Sequence, residues 1–417
     1  MRRLRLDGQR TTVAALAAYT LLRLGFAGIH PVTYTDTAGY ESTASAPLWS
    51  VHFLAGIRGF TVPLVYKLIP NDTGRIGFQL LLSIVAWAVL AVVFSRSLRT
   101  ERGRLAGLLV VLLFSLTSNV VGWDPLLLSE SLTLSLYALL VAAVLVVVRR
   151  PSRTSLASLL LVAALWTFVR DSNGTVVLVG GLVALLLAVR PGHRAVKLAT
   201  AAAAVALFAA GAVTADVGNR WQEPFHDIVA RRFPEQASMT RWVYAHTFHG
   251  LADTRRAYTL YLATHPVYLL VDPFFGTQHT PYSSVGKADS LLDPQLGSYV
   301  SALNSTARPV RNAVAVLWID SLPGVLAFAA AALAAAVAAS WRRFTASGWV
   351  AFAVLCSAYP SALAAWHLIG IEIDRHALVA AVALRLGAYL LAAYALDSVL
   401  AARAERAGRA VVAPAGE

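Results

Sequence analysis

The chain has 417 residues, of which 58% are hydrophobic and 14% charged, and it carries a formal net charge of +13 at pH 7. An ordinary soluble domain carries about 25% charged residues, so a soluble globular class is excluded. In a soluble chain the basic excess would point to nucleic acid, but here it sits in short clusters between long apolar runs, where it would face anionic lipid headgroups. The bilayer, not nucleic acid, is therefore the expected partner.

The clusters carry the topology. Arginines gather in MRRLRLDGQR at the start, in RSLRTERGR (96–104), RRPSR (149–153), RPGHRAVK (190–197), WRR (341–343) and RAERAGR (403–409). Each falls on every second boundary of the apolar runs. Cytoplasmic loops are enriched in Lys and Arg near span ends, so both termini are expected in the cytoplasm.

The first apolar run, 12–29, follows a basic start and reads as an uncleaved signal anchor rather than a cleaved leader. Further runs follow at 76–95, 104–121, 126–148, 154–169, 174–189, 195–216, 313–340, 346–366 and 377–401. A span takes about 20 apolar residues. The fold expected is all-α, a polytopic transmembrane helical bundle of about 10 spans in one integral membrane domain covering 1–417. A cytoplasmic tail is expected at 403–417.

Two long segments then fall on the outer face, 30–75 and 217–312. The first contains PLWSVHFLAGIRGFTVPLVYKLIP, whose apolar residues recur at helical spacing but are interrupted by His52, Arg58 and Lys67. That pattern suits an interfacial amphipathic helix better than a span. In the second segment, VYLLVDPFFG (267–276) is apolar enough to dip toward the membrane. The lone Cys356 lies in an apolar run, so no intrachain disulfide is expected. Lysine is rare beside arginine, as in a GC-rich bacterial genome, which places the chain in a bacterial plasma membrane.

Four polar sites are expected at the outer level. Asp36, in TYTDTAGYES between Tyr34 and Tyr40, is a partly desolvated carboxylate suited to act as a general base, or a simple helix cap. In WDPLLLSESLTLSLYALL (123–140), Pro125 suits a first helical turn, which places Glu130 one to two turns inside the fourth span. An ionisable group there faces a cavity or pairs with an arginine. Arg170 and Asp171, in WTFVRDSNGT, are expected in an outer turn running to Gly174. Glu372, Asp374, Arg375 and His376 open the last span, with Arg385 deeper. Arginines there offer planar forks to phosphate oxygens, or form intramolecular ion pairs. His246, His249, His265 and Asp272 match no metal-ligand spacing, so no metal or other cofactor is expected.

These features together resemble the GT-C superfamily of membrane glycosyltransferases, the group of the protein mannosyltransferases and bacterial aminoarabinose transferases. TYTDTAGY is similar to their acidic early outer loop. PLLLSESLTLSLYAL resembles the outer start of a middle span, FVRDSNG a short arginine-bearing turn, and EIDRHALVAAVALRLG the C-terminal segment of bacterial hexose transferases. The resemblance implies a polyprenyl-phosphate sugar as donor, a cell-envelope glycan or glycolipid as acceptor, and an inverting transfer on the outer face. It implies Asp36 as the base, with Glu130 orienting the acceptor or a basic partner, and Arg58, Arg170 or Arg375 on the donor phosphate. Tyr34, Tyr40, Asp171 and His376 would line the substrate. Two other readings stand beside it: an O-antigen polymerase or ligase, with nine basic residues in 217–312, and a lipid or solute transporter.

Overall fold

The computed structural model describes residues 2–26, 30–189, 192–234, 236–247, 249–275, 291–292, 308–340, 344–369 and 372–412. It is 81% helical and has no strand among the described residues. In chain order the helices are α1 (Arg2–Phe26), α2 (Thr35–Ser45), α3 (Val51–Leu54), α4 (Thr61–Leu68), α5 (Asp72–Ser95), α6 (Glu101–Ser115) and α7 (Ser118–Val121). Next come α8 (Glu130–Arg149), α9 (Arg153–Thr167), α10 (Asp171–Leu187), α11 (Arg194–Val217), α12 (Gln222–Arg231), α13 (Ala237–Ala245) and α14 (Gly250–Thr264). The last seven are α15 (Pro266–Leu270), α16 (Asp272–Phe275), α17 (Arg308–Ala315), α18 (Leu322–Ser340), α19 (Ala346–Leu368), α20 (Ile373–His376) and α21 (Leu378–Val412).

Six of these are long and apolar enough to cross a membrane: α5, α8, α11, α18, α19 and α21. The chain is thus an α-helical membrane protein. Of the other expected spans, α9 and α6 have 15 residues each, or about 23 Å of helix against a hydrocarbon core of about 30 Å. Helix α10 has 17 residues, and α1 carries its basic cluster within the helix. The expected run 313–340 is broken, because α17 ends at Ala315 and α18 starts at Leu322. Helix α21 runs past the expected end at 401 to Val412, since Ala, Arg and Glu in RAERAGRA are strong helix formers.

Sequence-local capping starts several of the long helices. Asn71 accepts from the backbone of Gly74 at 2.7 Å, Thr100 from Gly103 at 3.0 Å and Ser152 from Ser155 at 3.1 Å. The turn before α6 is also held from a distance. Buried Asp397 on α21 accepts from the backbone N–H groups of Arg99 (2.9 Å) and Thr100 (2.8 Å).

The main core lies where α5, α6, α8, α19 and α21 meet, around Trp87, Phe114, Tyr137 and Tyr394. A buried polar knot lies beside it, at the end of α6 and before α8. Arg23 on α1 pairs with Asp124 at 3.0 Å, and Asp124 also accepts from Ser131 at 2.8 Å. A second cluster, Phe225, Ile228, Phe233, Met239, Val243 and Tyr258, is built by α12 to α14 within the second long segment. VYLLVDPFFG forms α15 and the start of α16, which lie on the end of α19 through Phe274 against Tyr359 and Leu269 O on His367. The remainder of 217–312 beyond Phe275, including Lys287, lies largely outside the described residues.

Two expectations about helix starts are corrected. The helix bearing Glu130 begins at Glu130 itself, not at Pro125. Residues 125–128 are kept out of the helix because Val32 takes their backbone in an isolated parallel bridge at Leu126: Val32 N–H donates to Pro125 O at 3.0 Å and Leu127 N–H to Val32 O at 2.9 Å. The Gln79 amide supplies two further bonds, to the carbonyls of Asp124 and Leu126. The turn expected over 170–174 is also shorter, because α10 starts at Asp171, an acidic first-turn residue favoured by the helix dipole.

The single amphipathic helix expected in 47–70 is instead two, α3 and α4, broken at Ala55–Phe60. Gly59 allows that break to touch its neighbour: a Cβ there would stand 2.4 Å from the carbonyl oxygen of Phe168. Thr61 N–H donates to the same carbonyl at 3.3 Å.

Candidate functional site

The site is built from five places in the chain. The first turn of α2 supplies Asp36. The α3–α4 break supplies Arg58, the start of α8 supplies Ser129 and Glu130, and the residues before α10 and α21 supply Arg170 and Arg375. Helix α2 is docked onto the 125–128 segment by Thr37, whose hydroxyl accepts from Tyr34 N–H at 3.0 Å and donates to Leu127 O at 2.9 Å. Thus the same short stretch that delays the start of α8 also fixes the helix carrying Asp36.

Asp36 is shared between two guanidinium groups. Arg58 Nη2 donates to Oδ1 and Arg375 Nη2 to Oδ2, both at 2.6 Å. Arg375 also meets Glu372 at 2.7 Å, and its Nε stands 3.3 Å from Glu130 Oε1, off the hydrogen-bonding direction. Arg170 completes the ring. It donates through Nη2 to Glu130 Oε1, through Nε to Ser129 Oγ at 2.8 Å, and through Nη1 to the carbonyl of Arg375 at 3.3 Å.

Three carboxylates (Asp36, Glu130, Glu372) therefore face three guanidiniums (Arg58, Arg170, Arg375). Glu130 is fully buried, and Arg375 is buried too, while Asp36 and Arg58 keep 16% and 34% of their side chains exposed. The cluster is accessible at Glu372, 40% exposed, and along the Asp36–Arg58 side. The Nε groups of both Arg58 and Arg375 are buried and make no hydrogen bond among the described residues. Each arginine that holds Asp36 keeps a spare donor, a costly arrangement unless an acceptor visits.

The local fields follow from this geometry. Burial opposes the charge on Asp36, yet Arg58 and Arg375, with Arg170 farther off, hold its carboxyl below the usual carboxylate range. Burial, then Arg170, Arg375 and Arg58, push the half-buried His376 well below the ordinary histidine value, so it is a neutral imidazole at pH 7. Burial, then the Glu130 and Asp36 carboxylates, push the Tyr40 phenol up, keeping it a proton donor. The Arg58 guanidinium lies 5.6 Å from the Tyr40 ring centre, within cation–π range.

The structure thus brings together Asp36, Glu130, Arg58, Arg170, Arg375, Tyr40 and His376 at one level. Asp171 is turned elsewhere: both its oxygens accept from Arg220 at 2.9 Å, and Arg220 also donates to Gly56 O and Thr214 O. Arg220 thus ties the second long segment both to Asp171 at the start of α10 and to the α3–α4 break. Tyr34 is half-buried against the main core, two residues before Asp36.

Sequence reasoning passed over Arg23, Gln79 and Asp124, which hold the 124–128 segment from below. The signal was there in part, since Arg23 interrupts an apolar run and Asp124 stands beside Pro125. Among the described residues, no group of three His, Cys, Asp or Glu side chains converges to hold a metal ion. No protein-family model matches this chain, and no curated protein matches it.

Proposed function

We infer that the chain is a membrane glycosyltransferase. It moves a sugar from a polyprenyl-phosphate donor to a hydroxyl of a cell-envelope glycan or glycolipid, on the outer face of a bacterial plasma membrane. The reading takes about ten spans with both termini cytoplasmic. The observation that carries it is Asp36 clamped between Arg58 and Arg375, each with a buried Nε donor that makes no hydrogen bond among the described residues, in an ion cluster that is open at Asp36 and Arg58.

The chemistry follows from charge balance. The apo cluster is neutral, three carboxylates against three guanidiniums, with His376 uncharged. A donor phosphodiester carries one negative charge and takes guanidinium donors from Asp36. Losing them leaves Asp36 a desolvated carboxylate with a raised affinity for a proton. The acceptor oxygen then attacks the anomeric carbon as the bond from that carbon to the phosphate oxygen breaks. The bonding pair leaves on the polyprenyl phosphate, and the acceptor proton passes to Asp36. Arg58 and Arg375 stabilise the second negative charge on the leaving phosphate. Glu130 keeps Arg170 and Arg375 in place. Attack opposite to the leaving group inverts the anomeric centre. The lipid tail stays in hydrocarbon while the sugar is handled at the polar level.

The polymerase or ligase reading rests on the arginine-rich segment 217–312 and leaves the early acidic loop without a role, and it draws less support because several of those arginines are engaged within the fold. Arg220 holds Asp171, Arg232 donates to the carbonyls of Trp366 and Ile369, and Arg255 meets Asp216.

The test is mass spectrometry of polyprenyl-phosphate sugars and envelope glycans in a deletion strain complemented with wild type or Asp36→Asn at equal levels. A missing glycan sugar with accumulated lipid-linked monosaccharide, rescued only by wild type, is expected. Unchanged lipids and glycans in every strain would overturn the reading.

A further inference from the structure

Two adjoining cavities lie away from the ion cluster, at the opposite end of the same helices. Glu130 and Arg149 bound α8, a helix of 20 residues, so Arg150 stands about 30 Å from the cluster. There, α5, α8 and α9 enclose a cavity of 470 Å³ that runs into a second of 320 Å³, with Val93, Val146 and Arg150 common to both. The larger falls within the range of ligand pockets, about 300–1,000 Å³.

Its two halves differ in chemistry. The wall is aliphatic, with Val89 and Val93 from α5 facing Leu139 and Val146 from α8. Val89 and Val146 are exposed, so the groove is open to the lipid side of the bundle. The mouth carries Arg96, Arg149 and Arg150, with the Ser152 and Ser158 hydroxyls beside it. None of these three arginines forms an ion pair among the described residues, unlike those of the outer cluster.

We propose that this groove binds one anionic phospholipid, its acyl chain along the valine wall and its phosphate held by Arg96, Arg149 and Arg150. The inference is independent of the transferase reading. Charge complementarity selects the headgroup, because three guanidiniums in a row without carboxylates favour a phosphate. The aliphatic wall selects a lipid over a soluble anion, since a free phosphate buries none of that surface. A basic helix end would attract anionic lipid diffusely, but here the arginines stand at the mouth of a groove walled by Val89, Val93, Leu139 and Val146.

The experiment is native mass spectrometry of the purified protein released from nanodiscs of phosphatidylcholine with or without phosphatidylglycerol, with affinity from titration. One retained phosphatidylglycerol per chain is expected. Replacing Arg149 and Arg150 by Gln together weakens its binding about 30-fold, at about fivefold per arginine. Val146→Trp leaves every charge in place and fills the groove, and it abolishes retention. Inorganic phosphate at millimolar concentration does not compete. No preference for phosphatidylglycerol in wild type overturns the proposal, as does full retention in Val146→Trp, which would mark diffuse surface charge. Complete competition by inorganic phosphate would reassign the groove to a soluble anion and overturn the lipid.

Discussion

Asp36 and Arg375 are 339 positions apart in the chain, yet Arg375 Nη2 donates to Asp36 Oδ2 at 2.6 Å. The contact joins α2 to the residues that open the last long helix, and Glu130 stands behind it as the buried counter-charge.

Replacing Asp36 by Asn keeps its shape and removes its ability to take a proton. Transfer of sugar from a labelled polyprenyl-phosphate donor should fall about 10²–10⁴-fold, the usual contribution of a positioned base. Asp36 is partly exposed and its arginines keep other partners, so the helical content and melting temperature should change little. A loss of activity matched by a loss of folded protein would remove Asp36 as the base.

Arg170 is the least replaceable arginine of the cluster. It donates to fully buried Glu130, and Arg375 Nε reaches that carboxylate only at 3.3 Å and at a poor angle. Arg170→Met should therefore destabilise the protein by about 3–5 kcal/mol, the cost of leaving one member of a buried pair uncompensated. Adding Glu130→Gln should recover most of that in a double-mutant cycle of thermal stability. Two additive losses would show that the pair does not depend on itself for stability.

The level of the site was legible because its residues interrupt apolar runs, and charge at a membrane boundary stands out in any sequence. Asp36, Glu130, Arg170 and Arg375 were found that way. What was not legible was backbone pairing. Nothing in PLLL reads as non-helical, and its helical start at Pro125 was the better local choice; Val32, more than ninety residues earlier, overrules it. The same holds for Asp171, which looks like a cluster member beside Arg170 until Arg220 from the far side takes both its oxygens. Local pattern gives the helices, and long-range bonds decide which residues belong together.

The pH dependence has a definite sign. Asp36 has a lowered pKa, so its contribution is complete above the unfolded value near 3.8 and is lost only as pH falls below it. His376 is also lowered, from 6.5, and acts in the physiological range. Below about pH 6.5 the unfolded chain binds a proton there that the native chain refuses, so stability falls with pH, by at most about 1.4 kcal/mol per unit from this group. The melting temperature should drop between pH 7.5 and 5.5, and His376→Gln should flatten that slope. An unchanged slope in the variant would move the titration to another group.

Gly59 links stability to function at a residue that touches no substrate. A Cβ there would lie 2.4 Å from Phe168 O, a backbone atom that cannot swing aside. Gly59→Ala should therefore push the α3–α4 break off the α9–α10 junction, at about 1–3 kcal/mol for overpacking. Arg58 is the adjacent residue and reaches Asp36 from that break, so its Nη2 would retreat from the carboxylate. Donor binding and the bound-state rate should both fall, with KM rising and kcat lowered, because Arg58 holds the donor phosphate and also stabilises the charge that builds on it in the transition state, where Arg375 alone remains. Arg58→Ala should reproduce the KM effect without the loss of stability, since Arg58 is a third exposed and its removal leaves Asp36 paired with Arg375. If Gly59→Ala loses stability but keeps a normal KM, the break does not position Arg58, and the arginine finds Asp36 from a mobile loop.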